Sequence, residues 1–321
     1  MKKEYGGYIE LDNFKGQAYY KGMLELNCGR SCLSYLIEVK GIKKIYIPLL
    51  LCDSVKECCK KYGVEVKYYN IDKSFNPVLD GVDADEYVYI VNYYGQLGKE
   101  DIRNLKERFN NLIVDNSEAF FSERLENIDT IYVCRKFFGV ADGAYLFTEE
   151  RLDKRFERDV VCDRMSFLLG RYEKSASEYY SLYAENNDYY KNLKLLAISK
   201  LSENILKALD YEDIKNKRNT NYNKLDELLG SLNQLELKQC EGPYAYPFLV
   251  KNGAIIRKKL IENKIYIPLL WPEVLDNADK GTLEYEYANS ILPLPVDQRY
   301  DESDMKFIAE TVKSLIEQGE S

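Results

Sequence analysis

The sequence predicts an α/β protein: a mostly parallel central sheet covered by helices on both faces, followed by a smaller α+β unit. Between residues 28 and about 148, short apolar strand-like runs alternate with segments of helical spacing, the pattern of a covered parallel sheet. Residues 150–230 are rich in Tyr, Lys, Asn and Leu with helical periodicity, and from about residue 240 the mixed pattern returns on a smaller scale. With 321 residues, 45% of them hydrophobic, the chain can bury two modest cores. We expect the large unit over 1–205 and the small one over 206–321.

The elements follow in order. Asn27-Cys28-Gly29 reads as a loop that opens a helix, because Ser31 through Ile37 carry apolar residues at helical spacing. Lys44-Ile45-Tyr46-Ile47-Pro48 is a short buried strand stopped by proline, 53–62 a helix, and Val64 through Tyr69 an alternating strand. Glu86 through Asn92 form a strand ending in a Tyr93-Tyr94-Gly95 turn, and 99–109 form a charged amphipathic helix. Leu112-Ile113-Val114-Asp115 is a strand that ends in a carboxylate. Thr130 through Val133 and Ala144 through Phe147 are strands that bracket a turn around Lys136. In the small unit, Tyr246 through Val250 read as strand, 253–263 as helix, Lys264 through Pro268 as strand, and 301–317 as a helix capped by Asp301 or Ser303.

Composition removes several classes of function. A formal charge of −8 argues against a nucleic-acid surface, which carries a basic excess. There is no histidine, so Ser-His-Asp and Cys-His hydrolases and His-ligated metal sites are excluded. The eight cysteines contain no Cys-x-x-Cys pair, so no structural zinc site is expected and reduced, buried thiols are. No apolar run approaches the roughly 18 residues of a membrane span. Met1 through Gly7 lack the apolar run of a secretion signal, so a cytoplasmic protein is expected.

Chemistry near neutral pH must therefore come from Lys, Tyr, Cys, carboxylates or a cofactor. Gly29, Arg30 and Ser31 stand at a helix N-terminus, where free N–H groups and the dipole suit a phosphate, although most helices begin with something similar. Asp115 is either a cap or the partner of a protonated heterocycle. Lys136, in Arg135-Lys136-Phe137-Phe138-Gly139, is either a snorkelling loop lysine or a buried nucleophilic amine. In ligand-binding parallel sheets the carboxyl ends of strands form the site, and Asp115 and Lys136 both lie there. Phosphate cradle, carboxylate and amine in this order are the parts of a pyridoxal-phosphate site.

These residues resemble the DegT/DnrJ/StrS family of pyridoxal-phosphate enzymes. Asn27-Cys28-Gly29-Arg30-Ser31-Cys32-Leu33 is similar to its phosphate loop, and Tyr94-Gly95-Gln96 with Asp101-Ile102 to its Phe-Gly-Gln…Asp-x-Ile stretch. Leu112 through Ala119 resembles Val-Ile-Glu-Asp-Ala-Ala-Gln-Ala, and Lys136 with Gly139, Asp142 and Gly143 resembles Lys…Gly-Glu-Gly-Gly. Arg218-Asn219-Thr220-Asn221-Tyr222, Tyr246-Pro247-Phe248, Lys264 through Pro268 and Leu292-Pro293-Leu294-Pro295 resemble later landmarks.

The resemblance implies the three-layer fold type I of pyridoxal-5'-phosphate-dependent transferases, with a smaller C-terminal α+β domain. It implies Lys136 as the Schiff-base lysine, Asp115 on the pyridinium nitrogen, and Gly29, Arg30 and Ser31 at the phosphate. Three positions depart from the family pattern. Glu118 stands where Gln lies near the ring oxygen, Cys52 where an aromatic stacks on the ring, and Cys134 where a hydroxyl residue assists the lysine. The segment that reaches the partner subunit's site is reduced around Ser199-Lys200-Leu201. The implied activity is transfer of an amino group from a donor such as glutamate to a keto-sugar of nucleotide-sugar type, within polysaccharide biosynthesis, by a homodimer with a shared site. The alternative is a non-catalytic descendant that binds cofactor or sugar without turnover.

Overall fold

The computed structural model describes residues 5–192 and 194–319. Residues 1–4, which begin the Met1–Gly7 stretch read above, lie outside them.

Eight strands form the main sheet: β1 (Leu24–Leu26), β2 (Lys44–Pro48), β3 (Glu65–Ile71), β4 (Pro77–Val78), β5 (Tyr87–Val91), β6 (Asn111–Asp115), β7 (Asp129–Val133) and β8 (Ala144–Phe147). Their spatial order is β1-β8-β7-β6-β5-β2-β3-β4. Strands β3, β2, β5, β6 and β7 run parallel, while β8 is antiparallel to both β7 and β1. The central strands are covered on both faces, so Val88 through Val91 and Leu112 through Asp115 are buried without a break. The order reverses between β2 and β5, because β2 continues outward to β3 and the chain then returns to β5. A crevice for ligands is expected outside the carboxyl ends at such a reversal.

Helices α1 (Gly29–Lys40), α2 (Asp53–Lys61) and α3 (Lys99–Arg108) supply crossovers. The stretch 150–230 holds four separate helices: α4 (Ser166–Glu173), α5 (Tyr180–Tyr189), α6 (Lys200–Leu206) and the long α7 (Tyr211–Leu229). After α7 come β9 (Ala245–Leu249), α8 (Gly253–Glu262), α9 (Pro272–Asn277), α10 (Leu283–Ser290), β10 (Ile291–Pro295) and α11 (Glu302–Gly319). A second core fills the space among α7, β9, α8, β10 and α11, built on Tyr222, Phe248, Leu260, Leu292, Met305 and Val312. Trp271, Val274 and Tyr287 instead join the first core, with the Trp271 ring 5.3 Å from that of Tyr93 and 6.1 Å from that of Tyr94.

The strand expected at Lys264 through Pro268 is absent. Ile265 and Ile267 do bury in the second core, which accounts for the alternation, but Lys264 adopts φ 62° and no neighbouring strand completes a ladder. Strands β1, β4 and β10 were not foreseen; β1 and β4, at three and two residues, are too short to show a period. Asp301 caps the last helix, accepting from the N–H of Ser303 at 2.8 Å and of Asp304 at 3.2 Å. Among the described residues, no helix is long and apolar enough to cross a membrane.

Candidate active site

Three features meet at the carboxyl ends of β6 and β7. Asp115 is the last residue of β6, in register with Ile131 of β7. Past β7 the chain makes one 3₁₀ turn, Cys134–Lys136, before the hairpin returns as β8. The N-terminus of α1 packs on the same strand: a Cβ on Gly29 would lie 3.0 Å from Val133 Cγ2 and 3.9 Å from Ile131 Cγ2. Glycine at this place lets the helix end approach β7. The Ser31 and Cys32 N–H groups donate to Cys28 O at 3.0 and 3.2 Å, leaving the Gly29 and Arg30 N–H groups ahead of the helical ladder. Among the described residues the Arg30 guanidinium has no hydrogen-bond or ion-pair partner.

Ser31 is placed differently from a free phosphate ligand. Its buried hydroxyl donates to Asn27 Oδ1 at 2.6 Å, and Asn27 Nδ2 in turn donates to Asp159 Oδ2 at 3.0 Å. Asp159 also takes Arg164 Nη2 at 2.7 Å, so this chain of bonds fixes the loop in front of α1.

Asp115 is buried and oriented from two sides. Tyr89 donates its hydroxyl to Oδ2 at 2.7 Å, and the Ser117 N–H donates to Oδ1 at 2.8 Å with help from the Ser117 hydroxyl. Burial and the adjacent Asp115 charge push the Tyr89 phenol well above its ordinary pKa, so it stays a donor. Asp115 therefore closes a turn at Ser117 and caps no helix. Cys52, partly exposed, lies 2.8 Å from Ser54 Oγ and close enough to influence the Tyr89 phenol.

The Lys136 side chain keeps 35% exposure and donates from Nζ to Oε1 of Glu118, 3.0 Å away, whose side chain is 2% exposed. Nζ also lies 5.3 Å from the centre of the Tyr244 ring. Burial pulls the ammonium down, but Glu118, Tyr244 and Asp115 outweigh it, and Lys136 holds its proton above the ordinary lysine range. Burial in turn pushes the Tyr244 phenol up to about 12 against the opposing pull of Lys136. Cys134 is fully buried, its thiol pushed up by desolvation, and it packs under Gly143, where a Cβ would lie 3.3 Å from its Sγ. Cys134 is thus a neutral packing group.

Other residues singled out in the sequence do structural work. Asp142 is wholly buried and accepts the N–H and hydroxyl of Ser199, both at 2.7 Å, which anchors the start of α6. Gln96 exchanges two hydrogen bonds with the Lys238 backbone at 3.2 and 2.7 Å, and Asp101 accepts Lys238 Nζ at 2.8 Å. These bonds fasten the strand-free segment before β9 to the large sheet. Tyr89, Tyr94 and Tyr244 were missed as site residues. A hydroxyl on the fully buried face of a central strand must find an acceptor, and for Tyr89 that requirement was the available signal. Arg218 was noted without a role. It is buried on α7 and donates to Phe137 O, next to Lys136, at 3.1 Å and to Pro243 O at 2.8 Å.

The donor set suits a phosphorylated aldehyde of the pyridoxal type: a helix end with ladder-free N–H groups, an unpartnered guanidinium, a buried oriented carboxylate and an amine, on adjacent strands. The sheet and the attached α+β unit together form a fold shared with solved aminotransferases. Similar solved structures include the sugar aminotransferase CalS13 from Micromonospora echinospora, at 11% identity and TM-score 0.61, covering 91% of this chain and 87% of that one. A DegT DnrJ EryC1 StrS aminotransferase from Brucella abortus matches at 15% identity and TM-score 0.59, covering 91% and 85%. NtdA from Bacillus subtilis, with its bound cofactor PMP, matches at 14% identity and TM-score 0.62, covering 94% and 74%. No protein-family model and no curated protein matches the sequence.

Proposed function

We propose that this chain is a pyridoxal-phosphate-dependent aminotransferase. It would pass an amino group from an amino-acid donor such as glutamate to the carbonyl of a keto-sugar, of nucleotide-sugar type. One observation carries the reading: the Lys136 amine past β7, the Asp115 carboxylate at the end of β6, and the open end of α1 against β7 share one face. The sugar acceptor rests on likeness to CalS13, and the cofactor on likeness to NtdA. We further propose a cytoplasmic homodimer with a boundary between units near 205/206, the partner covering the exposed side of Lys136.

The cofactor, when bound, supplies an aldehyde that captures amines and a protonated ring that withdraws electrons. The Gly29 and Arg30 N–H groups and the Arg30 guanidinium would hold the phosphate. Asp115, oriented by Tyr89 and Ser117, would keep a proton on the ring nitrogen. Lys136 Nζ would hold the cofactor and carry a proton between it and the substrate, while Cys52 and Cys134 would line the site.

A second reading, a descendant that binds without turnover, draws on the Lys136–Glu118 contact of 3.0 Å, which holds the amine as an ammonium. Spectroscopy separates the two. Purified protein with added pyridoxal phosphate is expected to show a visible absorbance band that is missing in Lys136→Ala and bleached by an amino donor. A band that no donor bleaches favours the binding-only reading, and no band in the wild type refutes the aminotransferase and any cofactor-binding descendant.

A further inference from the structure

We propose that Glu118 is the positioning residue and proton acceptor of Lys136: its carboxylate holds the amine docked as an ammonium and receives the proton when the amine becomes a nucleophile. The proposal rests on the aminotransferase reading only for its consequence, since the ion pair exists in the chain itself.

The geometry is built for it. Glu118 is 2% exposed; Oε1 takes Lys136 Nζ at 3.0 Å and Oε2 takes the Tyr94 N–H at 3.4 Å. That N–H is presented by an unusual backbone. Tyr94 has φ 53°, the left-handed region that L side chains rarely adopt, and its ring is locked in place near Phe75 and Trp271. A tyrosine held in that conformation, with its amide aimed at a buried carboxylate, fixes Glu118 in the orientation that meets Lys136.

Among the described residues, the groups acting most strongly on Nζ come from three neighbouring segments. Glu118 comes from the turn after β6, Asp115 from β6 itself, and Tyr244 from the segment before β9, with Arg218 of α7 acting on Tyr244. Glu118 is the one that reaches Nζ within hydrogen-bond distance. The proton step balances without an outside reagent. An N–H bond of the ammonium breaks and an O–H bond forms on Oε1, so the pair goes from ammonium and carboxylate to amine and carboxylic acid at unchanged net charge. Lys136 is thus kept unreactive until a neighbouring event makes that transfer favourable.

The test needs no cofactor turnover. Competitive labelling of all lysines with acetic anhydride, between about pH 6 and 11, reports each amine's titration when adducts are read by mass spectrometry. The exposed Lys251 serves as reference. In Glu118→Gln, which keeps the shape and removes the charge, the labelling rate of Lys136 relative to Lys251 at a given pH should rise at least about tenfold, the effect of a pKa lower by about one unit. Glu118→Asp, which keeps the charge but withdraws it, should lie between, and it carries the test if the amide variant does not fold. Superimposable Lys136 profiles in wild type and variants overturn the proposal. Added pyridoxal phosphate keeps the two readings apart. A shifted labelling profile with no visible band upholds the Glu118 assignment and removes the aminotransferase reading; a band with unshifted profiles does the reverse.

Discussion

Removing the Arg218 guanidinium should loosen the turn that carries Lys136. Arg218 is 1% exposed, and among the described residues no carboxylate pairs with it within ion-pair distance. Its donors go to Gln298 Oε1 at 3.0 Å, Pro243 O at 2.8 Å, Tyr244 O at 3.4 Å and Phe137 O at 3.1 Å, while its plane lies 4.7 Å from the Phe137 ring. Burial drives its pKa down to about 10 against the opposing pull of Asp297 and Tyr244, so the protein holds a charge there at a penalty. Arg218→Met preserves length and apolar body but deletes the donors. Phe137 O keeps its bond from Gln298 Nε2 at 2.9 Å, whereas Pro243 O, Tyr244 O and Gln298 Oε1 lose theirs. Three orphaned acceptors at about 1–3 kcal/mol each, less the relief of no longer burying a cation, give a net loss of at least about 2 kcal/mol. Urea unfolding followed by the single tryptophan, Trp271, and by far-ultraviolet circular dichroism measures it. Arg218→Lys should not restore the loss, because one ammonium cannot span three carbonyls. A change below about 0.5 kcal/mol would show that these bonds do not clamp the two units together.

Gly29→Val should push the start of α1 off β7, where even a Cβ meets Val133 at 3.0 Å; we expect at least about tenfold weaker pyridoxal phosphate binding by absorbance titration, with helix content unchanged. Asp297 gives a pH prediction. Burial raises its pKa, but the Arg299 bonds at 2.6 and 2.8 Å prevail and hold the folded carboxyl below the ordinary value of about 3.9. A depressed folded pKa means the stabilisation is complete above about pH 4 and disappears as pH falls through the folded value. Asp297→Asn should therefore be less stable at neutral pH and converge on the wild type in acid; parallel curves of unfolding midpoint against pH would count against the Arg299 pairing.

Much of the large sheet could be read from local pattern because its inner strands are buried on both faces. Lys44–Pro48 and Ala144–Phe147 come out with their observed limits, as near-continuous apolar runs bounded by turn residues. The same rule misled at Lys264 through Pro268, where alternation reflects a coil lying on the second core, and pattern alone does not reveal whether a partner strand exists. At the site, the positions of Lys136 and Asp115 follow from strand ends and were visible. Glu118 was marked by its identity, but its pairing with Lys136 depends on a turn and a left-handed Tyr94 that no periodicity encodes. Tyr244 reaches the amine from over a hundred residues away, a proximity made by the fastening of Lys238 to Gln96 and Asp101.

The antiparallel β8 gives Lys136 an unusual kind of anchorage. The turn that carries it is closed at its base by the Cys134 N–H donating to Gly143 O at 3.0 Å, and laddered strands lead into and out of it. Insertions or deletions there would slip the register of β8 against both β7 and β1, turning buried side chains outward. Sequence can diverge outside that ladder around an amine whose backbone address is held constant.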